Sequence, residues 1–461
     1  MRGVSNRRMS PALSFATLST RLLFALLLIP GLSQAAPSAG TAEPATSADE
    51  AWQLHGQATY VWQHKAAMSA PYSGDNSLGG PRALSYSFTA TAAAGWRPWA
   101  GGELYGNLEG AQGVPLSNLT GLGGFTNGEM ARSSGAQLKL YRARLYGRQT
   151  WDLGDEREAV DSDFNQLAGL VAKRRLALTV GNLSVADVFD RNAYSHDPRT
   201  QFLNWSLMAL GAYDYAADAR GYTQGFAVEW YHDDWALRAG RFALPEQPNQ
   251  QRLDDRLLRH FGDQIELEHH HRIAEQAGAV RVLLFRDRAR LARFDDALAQ
   301  QSATGVLPTL DQARHQVHSK RGVGLGLEQA LGERVGLFAR WSAADGATET
   351  DAFTEIDRSL SAGLLVDGAL WQRAGDSLGL GGACNRLSAG RRDYLAAGGN
   401  TFFLGDGGLR YQPEQVVEAF YNLQLHRLLT VSLNAQRIAN PGYNADRGPV
   451  TVLSTRLHLA F

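Results

Sequence analysis

Residues 85–96 read Ser85-Tyr86-Ser87-Phe88-Thr89-Ala90-Thr91-Ala92-Ala93-Ala94-Gly95-Trp96. Tyr86, Phe88, Ala90, Ala92, Ala94 and Trp96 fall on one side of a two-residue period, and Ser85, Ser87, Thr89 and Thr91 on the other. Such a period marks an extended strand whose two faces meet different surroundings, because successive side chains point to opposite sides. The alternation recurs along the chain. Leu54, Gly56, Ala58, Tyr60 and Trp62 alternate with His55, Gln57, Thr59 and Gln63. Val335, Leu337, Ala339 and Trp341 alternate with Gly336, Arg340 and Ser342, and the chain closes on Leu453, Thr455, Leu457, Leu459 and Phe461 against Ser454, Arg456 and His458.

Counting such segments predicts about sixteen strands, over 53–65, 83–97, 102–113, 138–152, 174–183, 222–232, 235–243, 263–273, 277–286, 320–330, 334–343, 357–368, 377–387, 414–424, 428–438 and 450–461. Alternation alone does not say which face is wet; the connections do. Short turns such as Arg97-Pro98-Trp99-Ala100-Gly101, Asp233-Asp234 and Leu331-Gly332-Glu333 alternate with long loops near 66–83, 114–137, 287–319 and 388–413. Tight turns on one side and long loops on the other are the pattern of a transmembrane barrel, with an apolar band outside and a polar lumen. Trp96, Trp151, Trp230 and Trp235 lie beside short turns, and Trp62 and Trp341 beside long loops, as two interfacial girdles would place them. The reading is an all-β, transmembrane antiparallel barrel over 52–461. An even strand count puts both termini in the periplasm, and sixteen strands enclose a water-filled passage.

Composition agrees. Lys and Arg number 45 against 46 Asp and Glu, so no basic excess exists to neutralise nucleic acid. The single cysteine, Cys384, excludes an internal disulfide, and no cofactor motif is present. The one long apolar run, Leu22-Leu23-Phe24-Ala25-Leu26-Leu27-Leu28-Ile29, follows Arg2, Arg7, Arg8 and Arg21 and ends at Pro30-Gly31. With Ser33-Gln34-Ala35 behind it, this is the layout of a signal peptide over 1–35, and too short to span a bilayer. Residues 36–51 read as a flexible lead-in.

Two stretches carry the expected constriction. Over 138–152, Tyr141, Ala143, Leu145 and Trp151 are taken as outward, leaving Arg142, Arg144, Tyr146 and Arg148 as an inward ladder. The preceding strand then turns Glu103, Tyr105, Asn107 and Glu109 inward, with Glu229, Glu266 and Glu268 also facing the lumen. Guanidinium forks and carboxylates on adjoining walls suit vicinal hydroxyls of a neutral sugar. An anion-preferring or general diffusion pore is the alternative, since arginine rings favour anions. The connection 184–221 is too long to be idle, and its mixture of aromatics, amides and charges suits a loop folded into a wet lumen.

Within that connection stands Asp197-Pro198-Arg199-Thr200-Gln201-Phe202-Leu203-Asn204-Trp205, followed by Asp218-Ala219-Arg220-Gly221-Tyr222. With Gly102-Glu103-Leu104-Tyr105, Asn165-Gln166-Leu167-Ala168-Gly169, Ala352-Phe353-Thr354-Glu355-Ile356-Asp357, Asp393-Tyr394-Leu395-Ala396-Ala397-Gly398-Gly399 and Asn440-Pro441-Gly442-Tyr443-Asn444, these blocks resemble the OprB-type carbohydrate-selective porins of Gram-negative outer membranes. Ala217 and Gly442 depart from the pattern, where proline and alanine are expected, and 286–298 is particular to this chain. The resemblance implies a sixteen-stranded barrel in the outer membrane whose inward-folded loop selects glucose-like sugars by passive diffusion. Aromatics would stack on the sugar ring while charged groups hold its hydroxyls. It adds Asp197, Arg199, Asn204 and Trp205 to the candidates, either touching sugar or bracing the loop. The strand ending at Phe461 is expected to be the handle for outer-membrane assembly, as a monomer or homo-oligomer.

An enzyme is the other class considered. Of His269-His270-His271 at most two could converge, because neighbours on a strand face opposite ways. Ser454 and His458 share a face, yet about 13 Å of strand separates them, too far for a nucleophile–base pair. A hydrolase is therefore not expected.

Overall fold

The computed structural model describes residues 49–130, 135–353 and 355–461. The signal peptide expected over 1–35 and nearly all of the lead-in lie outside the described residues. The strands are β1 Trp52–Lys65, β2 Ala83–Trp99, β3 Gly102–Val114, β4 Lys139–Asp152, β5 Arg157–Val160, β6 Gly169–Ala172, β7 Arg175–Leu183, β8 Thr223–His232 and β9 Trp235–Phe242. They continue as β10 Phe261–Ile273, β11 Gln276–Arg290, β12 Val317–Ala330, β13 Val335–Ala344, β14 Arg358–Asp367, β15 Ser377–Arg386, β16 Glu414–His426, β17 Leu429–Ala439 and β18 Val450–Ala460.

All but β5 and β6 pair with their chain neighbours in one closed antiparallel barrel, with β4 joined to β7 and β18 returning to β1. The closing register sets Gln57 opposite Ala460 and Lys65 opposite Val452, so both termini lie at the short-turn end. Each segment read from the sequence is a barrel strand. The chief difference is that β11 and β12 climb further into the long connection between them, to Arg290 and from Val317. β5 and β6 form a separate hairpin that the period-two signal misses, since four residues each are too few to show a pattern.

The faces divide as an inverted protein requires. Trp52, Trp96, Trp99, Trp151, Trp230 and Trp235 are exposed at the short-turn end, and Trp62 and Trp341 near the loop end. Between them the belt exposes Leu54, Leu104, Leu145, Val180, Ile265, Leu284, Leu325 and Leu433. Buried charges such as Glu266, Glu418, Arg340 and Arg456 point the other way, into the lumen. Among the described residues the barrel itself has no edge strand, which matters in a solvent that cannot hydrogen-bond an open ladder.

Candidate functional site

The chain leaves the wall for the lumen after β7. At Gly181 the backbone takes φ +144°, and a Cβ there would stand 2.5 Å from the Leu145 carbonyl oxygen, so only glycine lets β7 approach β4 this closely. Residues 184–222 then fold inside the barrel. The wall seizes this loop mostly by its backbone. Glu418 accepts the Leu203 and Asn204 N–H groups at 2.6 and 2.8 Å. Arg456 donates to the carbonyls of Pro198 and Gln201 at 2.6 and 2.8 Å. Arg340 donates to Leu207 O at 2.9 Å and pairs with Asp190 at 3.1 Å. Phe202 completes the clamp by packing edge-on to Phe338 and Phe420, with centroids 5.4 and 5.0 Å away.

A second element enters from the opposite end. The tip between β5 and β6, residues 161–168, lies against the inner faces of β1 and β3. Gln53 donates to Asp163 O at 3.1 Å, Leu167 N–H donates to the Tyr105 hydroxyl at 3.1 Å, and the Phe164 ring sits 5.3 Å from that of His55.

Two of the cavities around these insertions adjoin one another. One of about 590 Å³ faces the short-turn end and is lined by Glu103, Arg148, Glu229, Arg238, Glu268 and Arg281. Its charges form a continuous network: Arg238 reaches Glu229, Glu266 and Glu268 at 3.3, 3.1 and 3.1 Å, and Arg281 reaches Glu268 and Glu328 at 2.5 and 3.1 Å. The other, about 320 Å³, lies between the hairpin tip and the inserted loop, lined by Phe164, Asn165, Arg144, Arg199, Trp205 and Tyr215 among others. Asp187 and His196 border both cavities, so the two adjoin at these residues. Arg144 grips Asp187 with both arms of its fork, at 2.7 and 2.6 Å. Burial works against the Asp187 carboxylate, but the Arg144 guanidinium and the Ser184 N–H hold its pKa below the ordinary value. Burial pushes the His196 imidazole below its ordinary value.

The structure sorts the candidates from the sequence. Glu103 and Arg148 line the larger cavity; Arg144, Asp197, Arg199 and Trp205 line the smaller one. Arg199 bridges Glu129 at 2.8 Å and Glu109 at 3.4 Å. Trp205 packs in a three-ring cluster with Phe353, at 4.9 Å, and Tyr215, at 6.3 Å, and is buried. Tyr105, Asn107 and Glu109 face inward as expected but are buried beneath the insertions and line neither cavity. Glu109 is fully engaged by Thr91, Tyr141, Tyr222 and Arg199. Asn204 caps the short helix Trp205–Met208 and donates to Gln436 at 3.0 Å; it braces the loop and does not touch the passage.

Arg142 is a correction. It lies opposite Leu108, which is exposed on the outer face, whereas Arg144 lies opposite buried Asn107. Ala143 is the extra residue of a β-bulge, and one extra residue reverses the faces above it. Tyr141 and Ala143, read as outward, are therefore inward and buried. Of the histidines, His269 stacks on Trp235 outside at 4.2 Å while His270 pairs with Glu268 inside.

Sequence reasoning missed the hairpin tip, although Asn165-Gln166-Leu167-Ala168-Gly169 was one of the blocks that stood out. It also missed Asp187, His196, Tyr213 and Tyr215 in a loop with no period to read.

A family model described as carbohydrate-selective porin, OprB family, matches residues 83–461. Among solved structures, the high-pH structure of Pseudomonas putida OprB is 16% identical, with 89% of this chain and 94% of that chain covered and a TM-score of 0.67. The low-pH structure of Pseudomonas putida OprB is 12% identical over 89% and 93% of the two chains, with a TM-score of 0.47. The first likeness supports the fold, and the family match supports the function. No curated protein matches the sequence.

Proposed function

The chain belongs to the OprB family of carbohydrate-selective porins, and we propose that its glucose-like sugars cross between the hairpin tip and the inserted loop, past Arg144, Asp187 and Arg199. It is an outer-membrane sugar porin, a channel rather than an enzyme. The observation that carries the route is the pair of adjoining cavities, which meet at Asp187 and His196 where elements inserted from both ends of the barrel face one another. Opposed charges offer donors and acceptors to hydroxyls, and Phe164 and Tyr215 border the same space with apolar ring faces. Binding there must stay weak for the sugar to leave.

An anion-preferring pore is not favoured, because Arg144, Arg148, Arg199, Arg238 and Arg281 along the route are each matched by a carboxylate. Export by residues 1–35 and recognition of the last strand, ending at the half-exposed Phe461, by the assembly machinery belong to the same reading.

Liposome swelling with mono-, di- and trisaccharides tests the route, together with sugar block of ion current in planar bilayers. Monosaccharides should permeate and block, with permeation falling steeply by the trisaccharide. Equal permeation of all three, or current that sugars leave untouched, would reject a selective sugar path here.

A further inference from the structure

The outer surface of the barrel carries a charge pattern that sugar passage does not use. Along β11 the outward positions are Val280, Val282 and Leu284, then Arg286, Arg288 and Arg290. In register, Arg286 stands directly opposite Arg321 of β12. The arrangement repeats three strands further on, where Arg358 of β14 stands directly opposite Arg386 of β15. All four are exposed. Like charges set directly across a ladder repel, so two such pairs on one face are costly in the protein alone.

The surrounding carboxylates offset this repulsion only in part. Among the described residues, none of these four guanidinium groups forms an ion pair. Asp263 lies beside Arg286 but is taken by Arg241 at 2.7 Å, and the Asp345 carboxylate is engaged by the N–H groups of Arg321 and Ala347. Arg286 otherwise rests on the Phe261 ring, 5.6 Å from its centroid.

Depth identifies what could. Arg358 lies opposite Ala343, one outward position beyond Trp341 of the loop-end girdle, or about 7 Å along the strand. Arg286 follows Leu284 by the same step. The arginines therefore stand where hydrocarbon gives way to headgroups, on the leaflet at the long-loop side. At the short-turn end the corresponding band is tryptophan.

We propose that this arginine band docks the phosphate groups of a phosphorylated glycolipid in the outer leaflet, with Arg286–Arg321 and Arg358–Arg386 each gripping one phosphate. A guanidinium pair presents parallel N–H forks matched to phosphate oxygens, and a bound dianion turns the repulsion within each pair into attraction. Lipid is the fitting occupant because the band borders the apolar belt directly and follows the barrel's circumference.

The test uses the full mature chain in detergent, titrated with bisphosphorylated lipid A, with the same lipid dephosphorylated, and with phosphatidylglycerol, read by native mass spectrometry. Wild type should prefer the bisphosphorylated lipid over both others by about tenfold or more. The quadruple variant R286Q/R321Q/R358Q/R386Q should lose that preference while its pore conductance, sugar block and heat-modifiable gel mobility stay as in wild type. Equal binding of the phosphorylated and dephosphorylated lipids by wild type, equal binding of phosphatidylglycerol, or full retention of the preference by the variant would each overturn the proposal. The wild-type comparison decides even if the variant fails to fold.

Discussion

The wall made by β13, β16 and β18 and the facing wall made by β4 and β8–β12 both point charges into the lumen, yet they use them for different ends. On the first wall the charges meet backbone. Glu418 holds two N–H groups of the inserted loop, Arg456 and Arg340 hold its carbonyls, and Glu414 accepts from Gly123 and Gly442 at 3.1 and 2.9 Å. On the second wall the charges mostly pair directly with one another along the edge of the larger cavity, as in the network from Glu229 through Arg238, Glu268 and Arg281 to Glu328. A buried charge inside a barrel is thus not in itself a selectivity filter. A charge that holds backbone shapes the passage, and only one that still faces water can read the solute.

Substitutions can break that contrast. The largest effect is expected on the clamping wall. Arg340→Met removes the ion partner of Asp190 and the donor to Ser195 O, and leaves Leu207 O only the Ser195 hydroxyl; breaking a buried pair of this kind costs about 3–5 kcal/mol. A fall in the thermal midpoint of barrel unfolding, with larger and noisier single-channel currents, would show the loop released. Unchanged currents would mean that the remaining clamps suffice.

A smaller effect belongs to the open wall. Arg144→Ala leaves Asp187 without its guanidinium partner and opens one side of the smaller cavity. Charged hydrogen bonds are worth about 1.5–3 kcal/mol each. Single-channel conductance should rise and sugar block weaken by about tenfold, with a fall in the thermal midpoint smaller than that of Arg340→Met. Conductance and block both at wild-type level would remove Arg144 from the passage.

The smallest effect is expected outside. Arg142→Ala changes a side chain on the outer face, so conductance and sugar block should stay at wild-type values, with stability within about 0.5 kcal/mol. A conductance change as large as that of Arg144→Ala would return Arg142 to the lumen and refute the bulge at Ala143.

Arg142 and Arg144 also show where reading from sequence stops. Every barrel strand was legible, because two-residue alternation is imposed by the boundary between lipid and water and persists for the length of each strand. The face of an individual residue was legible only while that period ran unbroken. In β3, Glu103, Tyr105, Asn107 and Glu109 were all placed inward correctly. In β4 a single inserted residue reversed the parity above it, and nothing in Tyr141-Arg142-Ala143-Arg144 announces the insertion.

The sequence by itself determined a barrel, its strand number, the side of its loops and the sugar-porin family, since each follows from local periodicity or from matched blocks. Which inward groups meet the solute was decided only by tertiary structure. Tyr105 and Glu109 are hidden by what folds over them, and Asp187 and His196 matter because two insertions, from opposite ends of the barrel, converge on them. Strand pattern is a property of neighbours in the chain. The passage is a property of segments far apart in sequence, brought together by hydrogen bonds that no local period encodes.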